Sequence, residues 1–424
     1  MDIGFGEHLR TLRAGAGLTI EALAEAAGLS PRAISDTERG RSRVPQPRTV
    51  AALAAALRLD PAQRDAFAAL ARAGRDPQAA TGRPRTCELP RPGGPFVGRV
   101  AELDAIGRQL AAVPAGGPGV AVVVHGPPGV GKTALAVRAA EEHRDRYPGG
   151  VFHLDLRDGD LRNGARPAQA TLLKALGVPA ARIARDEDER AGQVRAVLWH
   201  RRCLLLLDDA ADEAQVRGLL PGAGANAVLV TSRRALGGLE AVHRLGLAPF
   251  APAESAALLH AAAAGHDGTP AQVEAVARLC GHLPLALHIA GTRLHSRPGW
   301  SMAVLAERLA DADQRLALLS APGSGVRAAF LVSYAQLAGP VRAVFRRLAE
   351  VPAVSFGPAE AALVAPCPVA EAEEHLEELL DLGLLEPDGD RQYRFHDLIR
   401  LFAAERLRAE EPPAAPDGPA RRSA

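Results

Sequence analysis

Apolar residues recur at helical spacing through the first 75 positions and predict a run of short helices. Phe5, Leu9 and Leu12 share one stripe. Thr19 stands as N-cap before a second helix that turns Leu23, Ala24 and Ala27 inward, and Gly28 ends it. Ser30 caps a third helix, with Pro31 in its first turn and Ile34 inward. Thr49 reads as the cap of a fourth (Val50, Leu53, Leu57), and Pro61 as the opening of a fifth (Phe67, Leu70). Residues 74–95 carry Pro, Gly and Arg without any period, as a linker does.

From Phe96 the pattern changes. The runs GVAVVVHG (119–126), VFHLDL (151–156), CLLLLDDA (203–210) and AVLVTSRR (227–234) are short and apolar, and helical stretches separate them. Such alternation predicts a parallel sheet with helical crossovers. Beyond Pro252 helical periodicity takes over, in AESAALLHAAAA, AQVEAVARLCGHLPLALHIAG and MAVLAERLAD. After residues 322–325 another helical block runs to Glu350, and the stretch from Ala370 to Glu411 reads helix, turn, one strand, helix, a winged-helix pattern. Residues 412–424, rich in Pro and Ala, read as a disordered tail.

Composition narrows the options. Aromatics make up only 4% of the chain, so its cores must be built from Leu, Val and Ala, which suits helices and a parallel sheet. The formal net charge of +1 gives no global field toward DNA or membrane, so any basic surface is local. Cys87, Cys203, Cys280 and Cys367 lie far apart and suggest neither a zinc knuckle nor a disulfide framework. With no signal-like start and no apolar run of membrane-spanning length, a cytoplasmic location without membrane contact is expected. Lys132 and Lys174 are the only lysines; charge is elsewhere carried by Arg. A lysine kept at position 132 points to a need for a compact ammonium.

That lysine lies in Gly126–Thr133, GPPGVGKT, a full match to G-x-x-x-x-G-K-[ST] placed after a strand and opening a helix. Backbone N–H groups of Gly126, Pro127, Pro128, Gly129, Val130, Gly131 and Ala134, where a residue has one, are expected around the phosphates of ATP or ADP. Lys132 is expected to reach the terminal phosphates and Thr133 the Mg²⁺. LLLLDD supplies a second half: Asp208 is placed to hold Mg²⁺ through water, and Asp209 to orient or deprotonate an attacking water. The candidate catalytic set is thus Lys132, Asp208 and Asp209. The next strand ends in Arg233 and Arg234, either of which is positioned to sense a γ-phosphate.

The series FVGRVAEL (96–103), GPPGVGKT, VFHLDL, LLLLDD, LVTSR (229–233), GHLPLAL (281–287) and RFHD (394–397) resembles the NB-ARC branch of the STAND nucleotide-binding proteins in order and spacing. The resemblance implies that Val97, Gly98 and Arg99 lie on the adenine side, that Pro284 packs on the base, and that Arg233 rather than Arg234 is the γ-phosphate sensor. It also implies that His396, supported by Asp397, touches the β-phosphate of ADP in a closed state. Val100 departs from the Glu that many members carry, and Phe395 from the Met of plant members. The implied device is a slow ATPase used as a switch: ADP holds three lobes shut, and exchange for ATP frees the winged helix and promotes self-association.

LTIEALAEAAGLSPRAISDTERGR (18–41) resembles the λ-repressor-like helix-turn-helix of the xenobiotic-response-element family. Its second helix is then expected in the major groove of operator DNA, with Arg32, Ser35 and Asp36 toward bases and Arg39, Arg41 and Arg43 toward phosphates. Ile20 stands where many relatives have Gln.

The fold expected is multidomain: an all-α helix-turn-helix domain (1–75), a linker (76–95), an α/β P-loop domain with a parallel sheet (96–250), a helical domain (251–323), a winged helix (324–411) and a tail (412–424). The function expected is a nucleotide-gated transcription regulator of actinobacterial type. A signalling ATPase scaffold whose first module binds protein, and a plain ATPase, are the alternatives. The family usually places a repeat domain after the winged helix, so the signal is expected from a separate sensor protein or a small molecule.

Overall fold

The computed structural model describes residues 5–38, 47–57, 59–60, 63–64, 67, 89–91, 93–113, 119–157, 166–222, 224–321 and 324–411. The chain divides into two compact units, Met1–Thr86 and Cys87–Ala424.

The first unit contains α1 (Phe5–Gly15), α2 (Ile20–Ala27), α3 (Pro31–Glu38) and α4 (Pro47–Ala56). Its ends follow the local chemistry. Thr19 Oγ1 accepts from the Ala22 amide, and Gly28 closes α2 at φ 64°. Ser30 Oγ accepts from the Ala33 amide at the start of α3. Helix α4 begins at Pro47, ahead of the Thr49 expected from sequence, because Pro is well suited to the first helical position. Of the fifth helix expected from Pro61, only scattered positions are described, Phe67 among them. Leu9, Leu23, Ile34, Leu53 and Phe67 form the core, each 0–1% exposed. Arg13 forks onto Glu38 at 2.6 and 2.9 Å and ties α1 to α3.

The second unit starts with α5 (Val100–Ala111) and a five-stranded sheet of β1 (Val120–His125), β2 (Gly150–Asp155), β3 (Cys203–Ala210), β4 (Ala227–Ser232) and β5 (Val242–Gly246). The strand order is β2-β3-β4-β1-β5, and every pairing is parallel. Strands β1, β3 and β4 are apolar almost throughout because both faces are covered. Helices α6 (Lys132–Glu142), α7 (Arg166–Ala175), α8 (Glu187–Trp199) and α9 (Glu213–Arg217) complete this layer. Strand β5, VHRLG, has a half-exposed polar pattern without the apolar signal of the other four, and sequence reading missed it.

Helices α10 (Pro252–Ala263), α11 (Pro270–Leu279), α12 (Pro284–His295), α13 (Met302–Ala310) and α14 (Ala312–Leu318) follow, then a two-residue pair, β6 (Ser320–Ala321) and β7 (Ser324–Gly325). Helices α15 (Val326–Gln336) and α16 (Gly339–Leu348) lead to β8 (Ser355–Phe356), α17 (Pro358–Val364), α18 (Val369–Asp381), β9 (Glu386–Pro387), β10 (Tyr393–Arg394) and α19 (Asp397–Glu410). The antiparallel order β8-β10-β9 makes the wing three-stranded where one strand was expected. Its strands are two residues long, too short to leave a periodic trace. One continuous apolar core joins α10–α14 to the winged helix. Phe395, the departure from Met, belongs to that core, where its ring lies 5.6 Å from those of Phe345 and Phe356.

Candidate nucleotide site

The Gly-rich loop leaves β1 at His125 and enters α6 at Lys132, so it crosses the carboxyl ends of the strands. Lys132 is 8% exposed, and its Nζ donates to the carbonyls of Gly126 at 2.8 Å and Pro127 at 2.9 Å. Burial, then the nearby Arg233 guanidinium, lowers its pKa to about 7 against the opposing pull of Asp209 and Asp208. A buried ammonium that, among the described residues, is held by the carbonyls of its own loop is short of negative charge, an environment that fits phosphate oxygens. Thr133 and Ala134 are exposed at the helix start.

Strand β3 carries the acidic half. Its ladder with β4 shifts between Leu207 and Ala210, and Asp209 takes φ 56°. That break turns two adjacent carboxylates to different partners. Asp208 Oδ1 accepts from Thr133 Oγ1 at 2.7 Å and from Thr231 Oγ1 at 2.5 Å. Burial pushes the Asp208 carboxyl up, but neighbouring His153, Thr231 and Thr133 more than reverse this, so it lies below its ordinary value. Asp209 receives Arg233 Nε at 3.5 Å and faces Arg157 at 3.7 Å. A hydroxyl and a carboxylate in contact at the loop exit fit a hydrated Mg²⁺ beside the phosphates.

Arg233 reaches beyond the sheet. Its Nη1 donates to the Ala329 carbonyl at 3.3 Å and to Ser333 Oγ, both on α15. Ser333 in turn donates to the Leu382 carbonyl at 3.2 Å. Arg234, the other sequence candidate, hydrogen-bonds through its amide to Ser232 Oγ.

Val97 is half-buried and packs on the large helical core. Gly98 and Arg99 form a turn held by Glu254, whose Oε1 accepts from the Arg99 amide at 2.9 Å. The Arg99 side chain is buried, lies 4.7 Å over the Phe250 ring, and donates to Ala248 at 2.6 Å and to Val130 of the loop at 3.4 Å. Pro284 opens α12, the position where a proline starts a helix rather than breaking it. The next amide, Leu285, donates to the Gly129 carbonyl at 3.1 Å and fastens α12 to the loop.

His396 caps α19. Its Nδ1 accepts from the Leu398 amide at 3.2 Å, and its Nε2 meets the Gly281 carbonyl at 2.8 Å. Asp397 is exposed in the first turn of α19, where it complements the helix N-terminus. Gly383, just beyond α18, has φ 65°, and a Cβ there would lie 2.8 Å from Pro127 Cα. A cavity of about 900 Å³ opens among these parts, lined by His125, Gly126 and Pro127, by Arg233, by Gly281 and His282, by Leu380 and Gly383, and by Phe395 to Asp397. Sequence reading brought Arg233 and His396 to this region. It missed Ser333, Gly383 and Glu254, which carry no motif of their own, and the role of Thr231 within LVTSR.

In the first unit, Arg32 projects from α3 with its side chain 92% exposed, 3.9 Å from Asp36. Ser35 and Asp36 are half-buried on the same helix, opposite Ile34 and Thr37. Arg39, Arg41 and Arg43 lie outside the described residues.

Residues 5–67 match the family model described as a helix-turn-helix domain, and residues 95–248 the one described as an AAA ATPase domain. The class is therefore a helix-turn-helix unit joined to a P-loop ATPase, as the sequence led one to expect, and an ATPase domain of this kind implies nucleotide binding. Within that class the chain is similar to AfsR regulatory proteins. It is 38% identical to the regulatory protein AfsR of Streptomyces coelicolor over 359 residues, 82% of this chain and 35% of that protein. It is 39% identical to AfsR of Streptomyces griseus over 355 residues, 81% of this chain and 36% of that protein. The chain spans about a third of the length of these curated relatives. A solved STAND protein with a tetratricopeptide repeat sensor from Pyrococcus horikoshii is 20% identical, with a TM-score of 0.39, over 76% of this chain and 44% of that one. Among the described residues no helix is long and apolar enough to cross a membrane.

Proposed function

We propose that this chain is a nucleotide-gated regulator of transcription, closed around ADP and opened by exchange for ATP. The observation that carries the reading is the convergence on one cavity of the Gly-rich loop, Arg233 just beyond β4, Gly281 before α12, and Gly383 and His396 of the winged helix. A plain turnover enzyme has no need for side chains from three segments to lock one another over its phosphate loop.

In this reading Lys132 binds the terminal phosphates, Thr133 and Asp208 hold Mg²⁺, and Asp209 positions a water. Mg²⁺, when bound, neutralises phosphate charge. Val97, Gly98 and Arg99 shape the adenine side indirectly, since the Arg99 side chain is spent on Ala248, Val130 and Glu102. Pro284 abuts the loop and is assigned to the base. Both ring nitrogens of His396 are engaged, so contact with a β-phosphate requires Nε2 to leave the Gly281 carbonyl. Arg233 likewise must choose between α15 and a γ-phosphate. A ligand shifts a conformational equilibrium only by its differential affinity for the two states, and these two side chains are sources of that difference.

The output is assigned to the first unit, with Arg32, Ser35 and Asp36 toward bases and Arg39, Arg41 and Arg43 toward phosphates of double-stranded operator DNA. The winged helix is a poor candidate for that role. Helix α18 carries Glu371, Glu373, Glu374, Glu377 and Glu378, and this charge repels a phosphate backbone. One small helical module contacts one half-site, so self-association in the ATP state raises DNA affinity. The signal is assigned to a separate sensor protein or a small molecule. The test is DNA binding by fluorescence anisotropy with ADP, with ATP, and with Lys132→Ala. The affinity is expected to differ between ADP and ATP and to lose that difference in the variant; equal affinity in all three overturns the coupling.

A further inference from the structure

Strand β2 lies beside β3, with Asp155 level with Asp208 and His153 level with Leu206. His153 has no part in the motif chemistry above, yet its side chain is largely buried and, among the described residues, its Nε2 has no hydrogen-bond partner. A buried ring nitrogen without a protein partner is uncommon. Its neighbour is the Asp208 carboxylate. Thr133 and Thr231 both donate to Oδ1, while Oδ2 faces His153 Nε2 across 3.9 Å. That separation is too long for a direct hydrogen bond and suits a small side-chain rotation or one bridging water.

We propose that His153 is a positioning residue of the nucleotide site: its Nε2–H engages Asp208 Oδ2, directly or through one water, and fixes the carboxylate that holds the cation. Oδ1 is fixed by two hydroxyls and Oδ2 by the imidazole, so the carboxylate plane is set from both sides. Groups behind a metal ligand tune its affinity through orientation, and their loss typically weakens metal binding by about tenfold or more. His153 touches neither nucleotide nor cation in this arrangement.

The inference rests on the nucleotide reading, and its test separates the two. A fluorescent ADP analogue is titrated onto the full chain across a range of Mg²⁺ concentrations, for the parent, His153→Leu, His153→Gln and Lys132→Ala. Leu fills the volume without a donor; Gln retains an N–H. His153→Leu is expected to raise the Mg²⁺ needed for half-maximal enhancement about tenfold while leaving Mg²⁺-free affinity unchanged, and His153→Gln to recover most of the loss. A parent-like Mg²⁺ dependence in His153→Leu overturns the proposal. So does an equal defect in both His153 variants that persists without Mg²⁺, since that marks the ring as packing alone. If His153→Leu does not fold, His153→Gln decides: near-parent Mg²⁺ dependence supports the donor role, and a large Mg²⁺-specific defect contradicts it. A parent chain that binds no nucleotide, or Lys132→Ala binding as the parent does, overturns the nucleotide reading itself and the proposal with it.

Discussion

In the first unit the candidate recognition side chain Arg32 is 92% exposed and meets Asp36 four residues on, whereas Arg233 in the second unit has a side chain only 10% exposed and bonds Ser333, 100 residues away. The two units use charge in opposite ways. An exposed arginine contributes little until a polyanion arrives, because water screens it. A buried lysine or arginine needs its partners at all times, and it registers any ligand that offers a better one. The first unit is therefore held by its apolar core, its helix caps and the Arg13–Glu38 pair, none of which is assigned to DNA. In the second, the groups that hold the closed arrangement are those assigned to the nucleotide.

Substitutions that strike one side of this contrast sharpen it. Leu23→Ala removes a fully buried side chain from the helical unit and is expected to destabilise that unit by about 3 kcal/mol. Calorimetry should show one transition lowered, with nucleotide affinity at the parent value; loss of nucleotide affinity as well would break the contrast. Lys132→Ala is the converse. Nucleotide affinity should fall about a hundredfold, the scale of a lost charge-assisted contact, while circular dichroism of the helical unit stays unchanged. Gly28 and Gly383 give a closer pairing, since both have left-handed backbones, at φ 64° and 65°. Among the described residues nothing lies within 4 Å of a Cβ at Gly28, whereas one at Gly383 meets the Pro127 backbone. Gly383→Ala should cost about 2 kcal/mol of the closed form, seen as faster hydrogen exchange from Leu379 to Leu385. Gly28→Ala should cost only about 1 kcal/mol, the left-handed penalty, by thermal melting.

Much of this organisation is legible in the sequence, and the contrast explains which part. Caps such as Thr19 and Ser30, the apolar strands, and the loop from Gly126 to Thr133 are local patterns with local causes. Asp208 and Asp209 are legible because two carboxylates closing an apolar run downstream of a Gly-rich loop are a local pattern. Strand β5 was hidden by its polar edge character. Ser333 and Gly383 were hidden because their significance comes from Arg233 and Pro127, far off in sequence. His153 reads as an interruption in an apolar run until the register of β2 on β3 brings it beside Asp208. His396 was found only through resemblance. Its hydrogen bond to Gly281, across 115 residues, has no signature that periodicity detects.

A purine nucleotide is what these separated segments are proposed to close upon, and one assay meets that directly. The chain is purified without added nucleotide, unfolded in acid, and the released small molecules are separated and quantified. About one ADP per chain is the outcome the account predicts, with essentially none from Lys132→Ala. A well-folded parent chain that releases no nucleotide and takes up none when ADP and Mg²⁺ are supplied would contradict it.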